Sequence, residues 1–138
     1  MKTNISTFLW FNNNAIEAAK LYCEIVPGAK LTSAGPMSAS FEIGDQRYIA
    51  FNGGPHYQLT PAVSLMLQVD TQEEIDTLWS KFISTGGTES QCGWLVDKYG
   101  LSWQIVPDDI EALVQNPGSV AALMQMKKID IAAMKAAA

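Results

Sequence analysis

Two side chains in this sequence are of types that often perform chemistry: the single histidine, His56, and the thiol of Cys92. A lone imidazole could act as a general base near neutral pH. The competing interpretation, a surface-loop residue, is favoured because no partner acid follows His56 in the sequence. Cys92 could be a reactive thiol, but no histidine or cationic helix end lies near it in the sequence. A small buried hydrophobic residue is therefore the favoured interpretation.

Other binding motifs are weak. The pair Gly53-Gly54 is followed by Pro55, which lacks the backbone donor that a phosphate loop would use, and no helix-like period follows. The two cysteines, Cys23 and Cys92, lie far apart and lack metal-ligand spacing. We therefore expect free thiols in a reducing cytoplasm.

Composition narrows the function classes. The chain has 138 residues, of which 48% are hydrophobic and 17% charged, as in ordinary soluble domains, and we expect one domain over residues 1–138. Its formal net charge of −5 argues against nucleic-acid binding, which relies on clustered basic residues. No apolar run approaches membrane-spanning length, so we expect no membrane partner and a cytoplasmic location.

The elements repeat. The capping-box pattern Asn14-x-x-Glu17 recurs 57 positions later as Thr71-x-x-Glu74, and Gly44 recurs 56 positions later as Gly100. Each copy has the order strand, helix and three strands. Module one, about residues 5–57, has strands at 5–11, 29–33, 37–43 and 46–51 and a helix at 14–26. Module two, about 62–107, has strands at 62–69, 88–92, 93–98 and 101–106 and a helix at 71–85.

Residues 108–138 lie outside the repeat. They predict a short helix near 109–115, a break at Asn116-Pro117-Gly118 and a methionine- and alanine-rich helix from Ser119 onward. That last helix is too apolar for a solitary exposed helix, so we expect it to pack on the domain or on a second subunit.

The repeat and several strings resemble the vicinal oxygen chelate superfamily, which includes glyoxalase I, bleomycin-resistance proteins and extradiol dioxygenases. The strings are Phe8-Leu-Trp-Phe-Asn12, Phe51-Asn-Gly-Gly-Pro-His56, Asp70-Thr-Gln-Glu-Glu74, Cys92-Gly-Trp-Leu95 and Asp97-Lys-Tyr-Gly-Leu-Ser-Trp-Gln104. They look like the PhnB-like branch, labelled 3-demethylubiquinone-9 3-methyltransferase domain. The resemblance implies an α+β fold in which two tandem β-α-β-β-β modules form a curved mixed sheet, with one pocket between two half-cups.

The resemblance also implies where a site would lie. Metal ligands in the superfamily come from the first and last strands of each module, which correspond here to Thr7, Tyr48, Ser64 and Gln104. These hydroxyl and amide groups are poor ligands as a set, so we expect neither a metal nor another cofactor.

Large aromatic residues lie on or beside the strands, namely Phe8, Trp10, Phe51, Trp94 and Trp103. Each could face either a ligand or the core, and we add Trp94 to the candidate ligand-binding residues. Together these features favour a metal-free protein that binds a small organic molecule and forms a homodimer. The alternatives are an enzyme, either the methyltransferase of the family label or a glyoxalase- or dioxygenase-like metalloenzyme, and an inert structural dimer. No methyl-donor motif supports the methyltransferase alternative.

Overall fold

The computed structural model describes all 138 residues. The chain divides into two compact units, Met1–Leu59 and Thr60–Ala138. Each unit contains one β-α-β-β-β module, and the second unit also contains the C-terminal helices. The predicted α+β class with two such modules is confirmed, and the modules form two four-stranded mixed sheets.

The first module has its parallel strand pair at the edge of the sheet. Its elements are β1 (Thr7–Phe11), α1 (Ala15–Ile25), β2 (Ala29–Ala34), β3 (Ser38–Ile43) and β4 (Gln46–Asn52). The strand order is β1-β4-β3-β2, with β1 parallel to β4 and the other pairs antiparallel. The helix carries the chain across the sheet, as a parallel connection requires.

The second module repeats this topology with shorter outer strands. Its elements are β5 (Ser64–Val69), α2 (Gln72–Ser84), β6 (Thr88–Glu89), β7 (Trp94–Val96) and β8 (Ser102–Pro107), in the strand order β5-β8-β7-β6. β6 ends earlier than the predicted residue 92. The chain turns at Cys92 and Gly93, whose φ angles of 61° and 85° are incompatible with a strand.

The two module helices begin differently, although their sequences predict the same cap. The capping box of α2 is confirmed: the Thr71 side chain accepts from the Glu74 amide, and the Glu74 carboxylate accepts from the Thr71 amide. The box predicted for α1 is wrong, because Asn14 makes no side-chain cap. Instead, Asn52 Oδ1 accepts from the Ala15 amide over 2.8 Å, so a residue at the end of β4 satisfies the helix start.

Each helix covers one face of its own sheet. Tyr22 of α1 contacts Phe41 of β3, with ring centroids 5.8 Å apart, and Phe82 of α2 contacts Trp103 of β8 at 4.9 Å. We call the opposite side of each sheet its helix-free face. Strand alternation and register assign the strand residues to that face. In the first sheet it carries Phe8, Trp10, Lys30, Ser38, Ser40, Glu42, Arg47, Ile49 and Phe51, and in the second Ser64, Met66, Gln68, Thr88, Trp94, Val96, Ser102, Gln104 and Val106.

The C-terminal segment forms three short helices, α3 (Ile110–Leu113), α4 (Pro117–Leu123) and α5 (Ile131–Ala136). The single helix predicted from Ser119 is therefore interrupted. The carbonyls of Met126 and Lys127 accept from the amides of Cys92 and Gly93, an extended contact that a continuous helix would forbid. Ile129 and Met134 are completely buried. None of the helices is both long enough and apolar enough to cross a lipid bilayer.

Candidate functional site

Three of the predicted site residues meet on the helix-free face of the second sheet. Gln104 Nε2 on β8 donates to the hydroxyl oxygen of Ser64 on β5 over 2.9 Å. Trp94 on β7 is the register partner of Gln104 and shares its face. The three side chains come from three neighbouring strands, so the sheet itself fixes their spacing.

A fourth polar residue, which the sequence did not single out, belongs with them. Ser102 is the register partner of Ser64 and precedes Gln104 by two positions, so all three lie on one face. Its side chain is only 1% exposed, and its hydroxyl oxygen has no hydrogen-bond partner. Burying a hydroxyl without a partner costs about 1–3 kcal/mol, which is unusual in a native structure. The residues Ser64, Trp94, Ser102 and Gln104 form what we call the polar cluster.

Thr7 and Tyr48, the two predicted site residues of the first module, do not lie on a helix-free face. Thr7 and Tyr48 are register partners on β1 and β4, so they are neighbours. However, Tyr48 stacks on Phe41 at a centroid distance of 5.0 Å and an interplanar angle of 15°, on the face that α1 covers. Desolvation by this burial raises the pKa of the Tyr48 phenol above its ordinary value. Thr7 shares that helix-covered face.

The difference between the modules comes from strand register. A strand places successive side chains on opposite faces, so a shift of one residue moves a position from one face to the other. Three residues separate β1 from α1 but two separate β5 from α2, and the β3–β4 turn has two residues whereas the longer segment 97–101 joins β7 to β8. A nearly constant sequence shift between the copies therefore cannot keep the same face on every strand. The helix-free neighbours of Thr7 and Tyr48 are Phe8 and Ile49.

The loop before β8 is organised by a buried carboxylate. Asp97 is 5% exposed, and its two oxygens accept from the amides of Tyr99 and Leu101 and from Nε1 of Trp103, at 2.8 to 3.1 Å. The carboxylate thereby ties the loop to the strand that carries Ser102 and Gln104. Local sequence does not reveal this role of Asp97, because a single aspartate three positions before a glycine is compatible with many loop structures.

The two weak catalytic candidates lie in a loop and in a turn. His56 is exposed in the loop after β4. Cys92 is half-buried in the turn before β7, and its amide is bound to the Met126 carbonyl. The other thiol, Cys23, is also half-buried, and desolvation raises its pKa, which disfavours the reactive thiolate.

The residues present do not fit the groups that the superfamily and the family label imply. No cluster of three or more histidine, cysteine, aspartate or glutamate side chains could hold a metal ion. Methyl donors of the nucleotide kind are commonly bound at a glycine-rich turn that opens a helix in a doubly wound sheet, and this chain has neither feature. The glycine pair at 53–54 serves another purpose: Gly53 packs on the indole of Trp10, and the Gly54 carbonyl accepts from its Nε1.

The paired β-α-β-β-β modules place the chain in the fold class of proteins described as glyoxalase/bleomycin resistance proteins, which is the fold that the resemblance in the sequence implied. Within it, residues 3–106 match the family model described as 3-demethylubiquinone-9 3-methyltransferase, and the chain belongs to that family. No curated protein matches the chain in sequence.

Solved structures agree with this assignment. A PhnB protein from Bacillus cereus, described as a 3-demethylubiquinone-9 3-methyltransferase, is 29% identical with a TM-score of 0.67, covering 76% of this chain and 99% of that chain. A glyoxalase/bleomycin resistance protein from Albidiferax ferrireducens is 16% identical with a TM-score of 0.55, covering 75% and 97%. A lactoylglutathione lyase from Agrobacterium tumefaciens is 15% identical with a TM-score of 0.50, covering 80% and 96%. The last two similarities concern the fold alone.

Proposed function

We propose that this protein binds a small organic molecule, without a metal ion, on the helix-free face of its second sheet. The observation that carries the proposal is the polar cluster, in which the Ser64–Gln104 hydrogen bond lies beside the buried Ser102 hydroxyl. A ligand with a hydroxyl or carbonyl group would supply the partner that Ser102 lacks. Trp94 adds a flat apolar surface in the same register.

The chemistry of the cluster supports binding rather than catalysis. When Gln104 donates one N–H to Ser64, it keeps its carbonyl oxygen and a second N–H for a ligand. None of the four residues titrates near neutral pH, so none can act as a general base. Neutral hydroxyl and amide groups orient a ligand by hydrogen bonds, and they discriminate strongly against molecules that lack the matching polar atom.

A thermal-shift screen tests this function. A panel of small organic molecules, including S-adenosylmethionine, is tested with the unaltered protein, with Gln104→Ala and with Gln46→Ala. Gln46 is a matched control because it is an exposed glutamine in the first unit. We expect a compound that raises the melting temperature of the unaltered protein and the control but not of Gln104→Ala, since a ligand at about 100 times its Kd adds about 2.7 kcal/mol of stability.

The other outcomes of the screen decide against the proposal. A compound that stabilises all three proteins equally would place its site away from the polar cluster. Saturable binding of S-adenosylmethionine, followed by methylation of an added acceptor, would favour the methyltransferase alternative. Binding of a divalent cation at one per chain, abolished by Gln104→Ala, would favour the metalloenzyme alternative.

We also propose that the chain forms a homodimer to which the C-terminal segment contributes. Met124 at the end of α4 is 64% exposed, and Val114 after α3 is partly exposed. Apolar side chains that a monomer leaves in water are candidates for burial between subunits. Ile129 and Met134 are already buried within their own unit, so they are not available for such a contact.

A further inference from the structure

Four aromatic rings gather on the helix-free face of the first sheet. The ring centroid of Phe51 on β4 lies 5.3 Å from that of Phe8 and 5.4 Å from that of Trp10, both on β1. The centroid of Trp10 lies 4.9 Å from that of Tyr57, in the loop after β4. Phe8 is 56% exposed and Tyr57 is 68% exposed. A row of contacting rings with exposed members at both ends leaves a wide apolar surface in water, which is unusual unless something covers it.

The indole in this row is held in place. Trp10 Nε1 donates to the Gly54 carbonyl over 3.0 Å, and the Gly53 amide donates to the Phe11 carbonyl over 2.9 Å. A Cβ atom at Gly53 would lie 2.2 Å from the indole, so only glycine allows the loop to close on the ring. A ring fixed in this way loses little freedom when a ligand stacks on it.

A positive charge lies on the same face. Arg47 is the only arginine in the chain, and it precedes Ile49 by two positions on β4. Ile49 is the register partner of Phe8, so the Cα atom of Arg47 lies about 7 Å along the strand from this pair. The side chain of Arg47 makes no ion pair or hydrogen bond. Its register partner Glu42 instead pairs with Lys30 at 3.8 Å. The guanidinium is therefore available to an anion, which it can bind with two parallel hydrogen bonds.

We propose that this face binds a small planar organic anion, in which a carboxylate contacts Arg47 and a conjugated ring lies against Phe8 and Phe51. This inference goes beyond the proposed function, because it names a second site, in the first unit, and the class of ligand that this site takes. A neutral ring would lack the charge-assisted hydrogen bonds that Arg47 can donate, and an organic cation would be repelled by Arg47. An anion also has few competing positive sites in a chain whose formal net charge is −5.

The probe for this site is 2-naphthoate, and the matched neutral ligand is 2-naphthamide. Binding is followed by titration calorimetry and by the Nε1–H NMR signal of Trp10, assigned by its loss in Trp10→Phe. We expect naphthoate to move that signal and to bind about tenfold more tightly than the amide, as a charge-assisted hydrogen bond provides. Arg47→Gln should make the two affinities equal, whereas Lys20→Gln, an exposed charge on α1, should leave the difference unchanged.

Phe8→Ser, at an exposed position, should weaken both ligands by about tenfold through the lost ring contact. No saturable shift of the Trp10 signal, or equal affinities for acid and amide in the unaltered protein, would refute the inference. So would a dimer that dissociates in Phe8→Ser, because a second copy of the chain would then cover the rings. Failure of naphthoate to bind would refute this inference and leave the proposed function standing, because the polar cluster on the second sheet is tested separately by Gln104→Ala.

Discussion

Gln104 on β8 and Ser64 on β5 are joined by a side-chain hydrogen bond of 2.9 Å across the parallel strand pair. The two residues are 40 positions apart in sequence, yet the register places them on the same face of neighbouring strands, two positions apart along the sheet. This bond fixes the orientation of the amide in the polar cluster.

The first prediction concerns the energy of that bond. In a double-mutant cycle of Ser64→Ala and Gln104→Ala, we expect a coupling energy of about 0.5–1.5 kcal/mol, because each single change leaves one partner without its bond. Urea unfolding of the four proteins measures it. The pair Ser64→Ala and Gln46→Ala serves as the control and should be additive. Additivity in the Ser64–Gln104 cycle as well would show that the bond contributes nothing to stability.

The second prediction concerns Asp97, whose carboxylate accepts from two amides and an indole while 5% exposed. In Asp97→Asn, one carboxylate oxygen becomes an amide nitrogen, whose N–H groups would face the N–H groups that Asp97 now accepts from. We therefore expect a loss of about 2 kcal/mol in the free energy of unfolding. The control is Asp45→Asn, at an exposed turn position where asparagine is equally suitable. Chemical denaturation of both variants is the measurement, and equal stability would contradict the role given to Asp97.

The third prediction concerns the contact between Gly53 and Trp10. Gly53→Ala places a methyl group 2.2 Å from the pinned indole, so we expect a loss of about 1–3 kcal/mol in the free energy of unfolding. Gly35→Ala is the control, because its new methyl group meets nothing closer than 3.9 Å. The loss should shrink when Gly53→Ala is combined with Trp10→Leu. A loss that persists in full without the indole would point to the backbone rather than to the contact.

The fourth prediction concerns pH. A hydrogen bond from Gln72 and, next, one from Lys128 lower the pKa of Asp76 below its ordinary value of 3.8, against a small opposing effect of desolvation. A carboxyl group with a depressed pKa in the folded state contributes stability that is fully present above pH 3.8 and is lost as the pH falls through the folded pKa.

Lys128 Nζ lies 2.9 Å from Asp76 Oδ1. Acidification below pH 3.8 should therefore loosen the C-terminal segment, which carries Lys128, before the rest of the unit. Faster hydrogen exchange at the Ile131 amide, which donates to Gln72, would report the loosening. In Asp76→Asn this pH dependence should be reduced, whereas Glu73→Gln on the same helix should retain it. An unchanged profile in Asp76→Asn would assign the effect to other groups.

The fifth prediction concerns assembly. Met124→Lys puts a charge on the exposed apolar end of α4, so we expect the proposed homodimer to dissociate at micromolar concentration while the monomer stays folded. Sedimentation velocity with circular dichroism measures both. Deleting the segment after Pro117 is a poorer test, because it removes the buried Ile129 and Met134 and would unfold the second unit. A Met124→Lys protein that remains dimeric would exclude α4 from the interface.

Local sequence patterns are enough to predict the helices and strands and their order along the chain. Caps, turn glycines and alternating apolar residues depend on neighbours a few positions away, so they can be recognised in the chain. This is why the two β-α-β-β-β modules, the capping box at Thr71 and the helix α2 follow directly from the sequence. The positions Ser64 and Gln104 follow instead from the resemblance to the superfamily, whose ligand-bearing strands correspond to the strands of these two residues.

Only the folded chain assigns each strand side chain to a face of the sheet and provides hydrogen-bond partners for the backbone groups at the ends of helices. Both faces of β1 are apolar, with Leu9 buried beneath α1 and Phe8 exposed on the other side, so periodicity alone could not assign Thr7 and Tyr48 to a face. The start of α1 is capped by Asn52, 37 residues from Ala15. The C-terminal helix is broken by bonds to Cys92 and Gly93. Each of these outcomes depends on contacts between distant segments, which only the folded chain brings together.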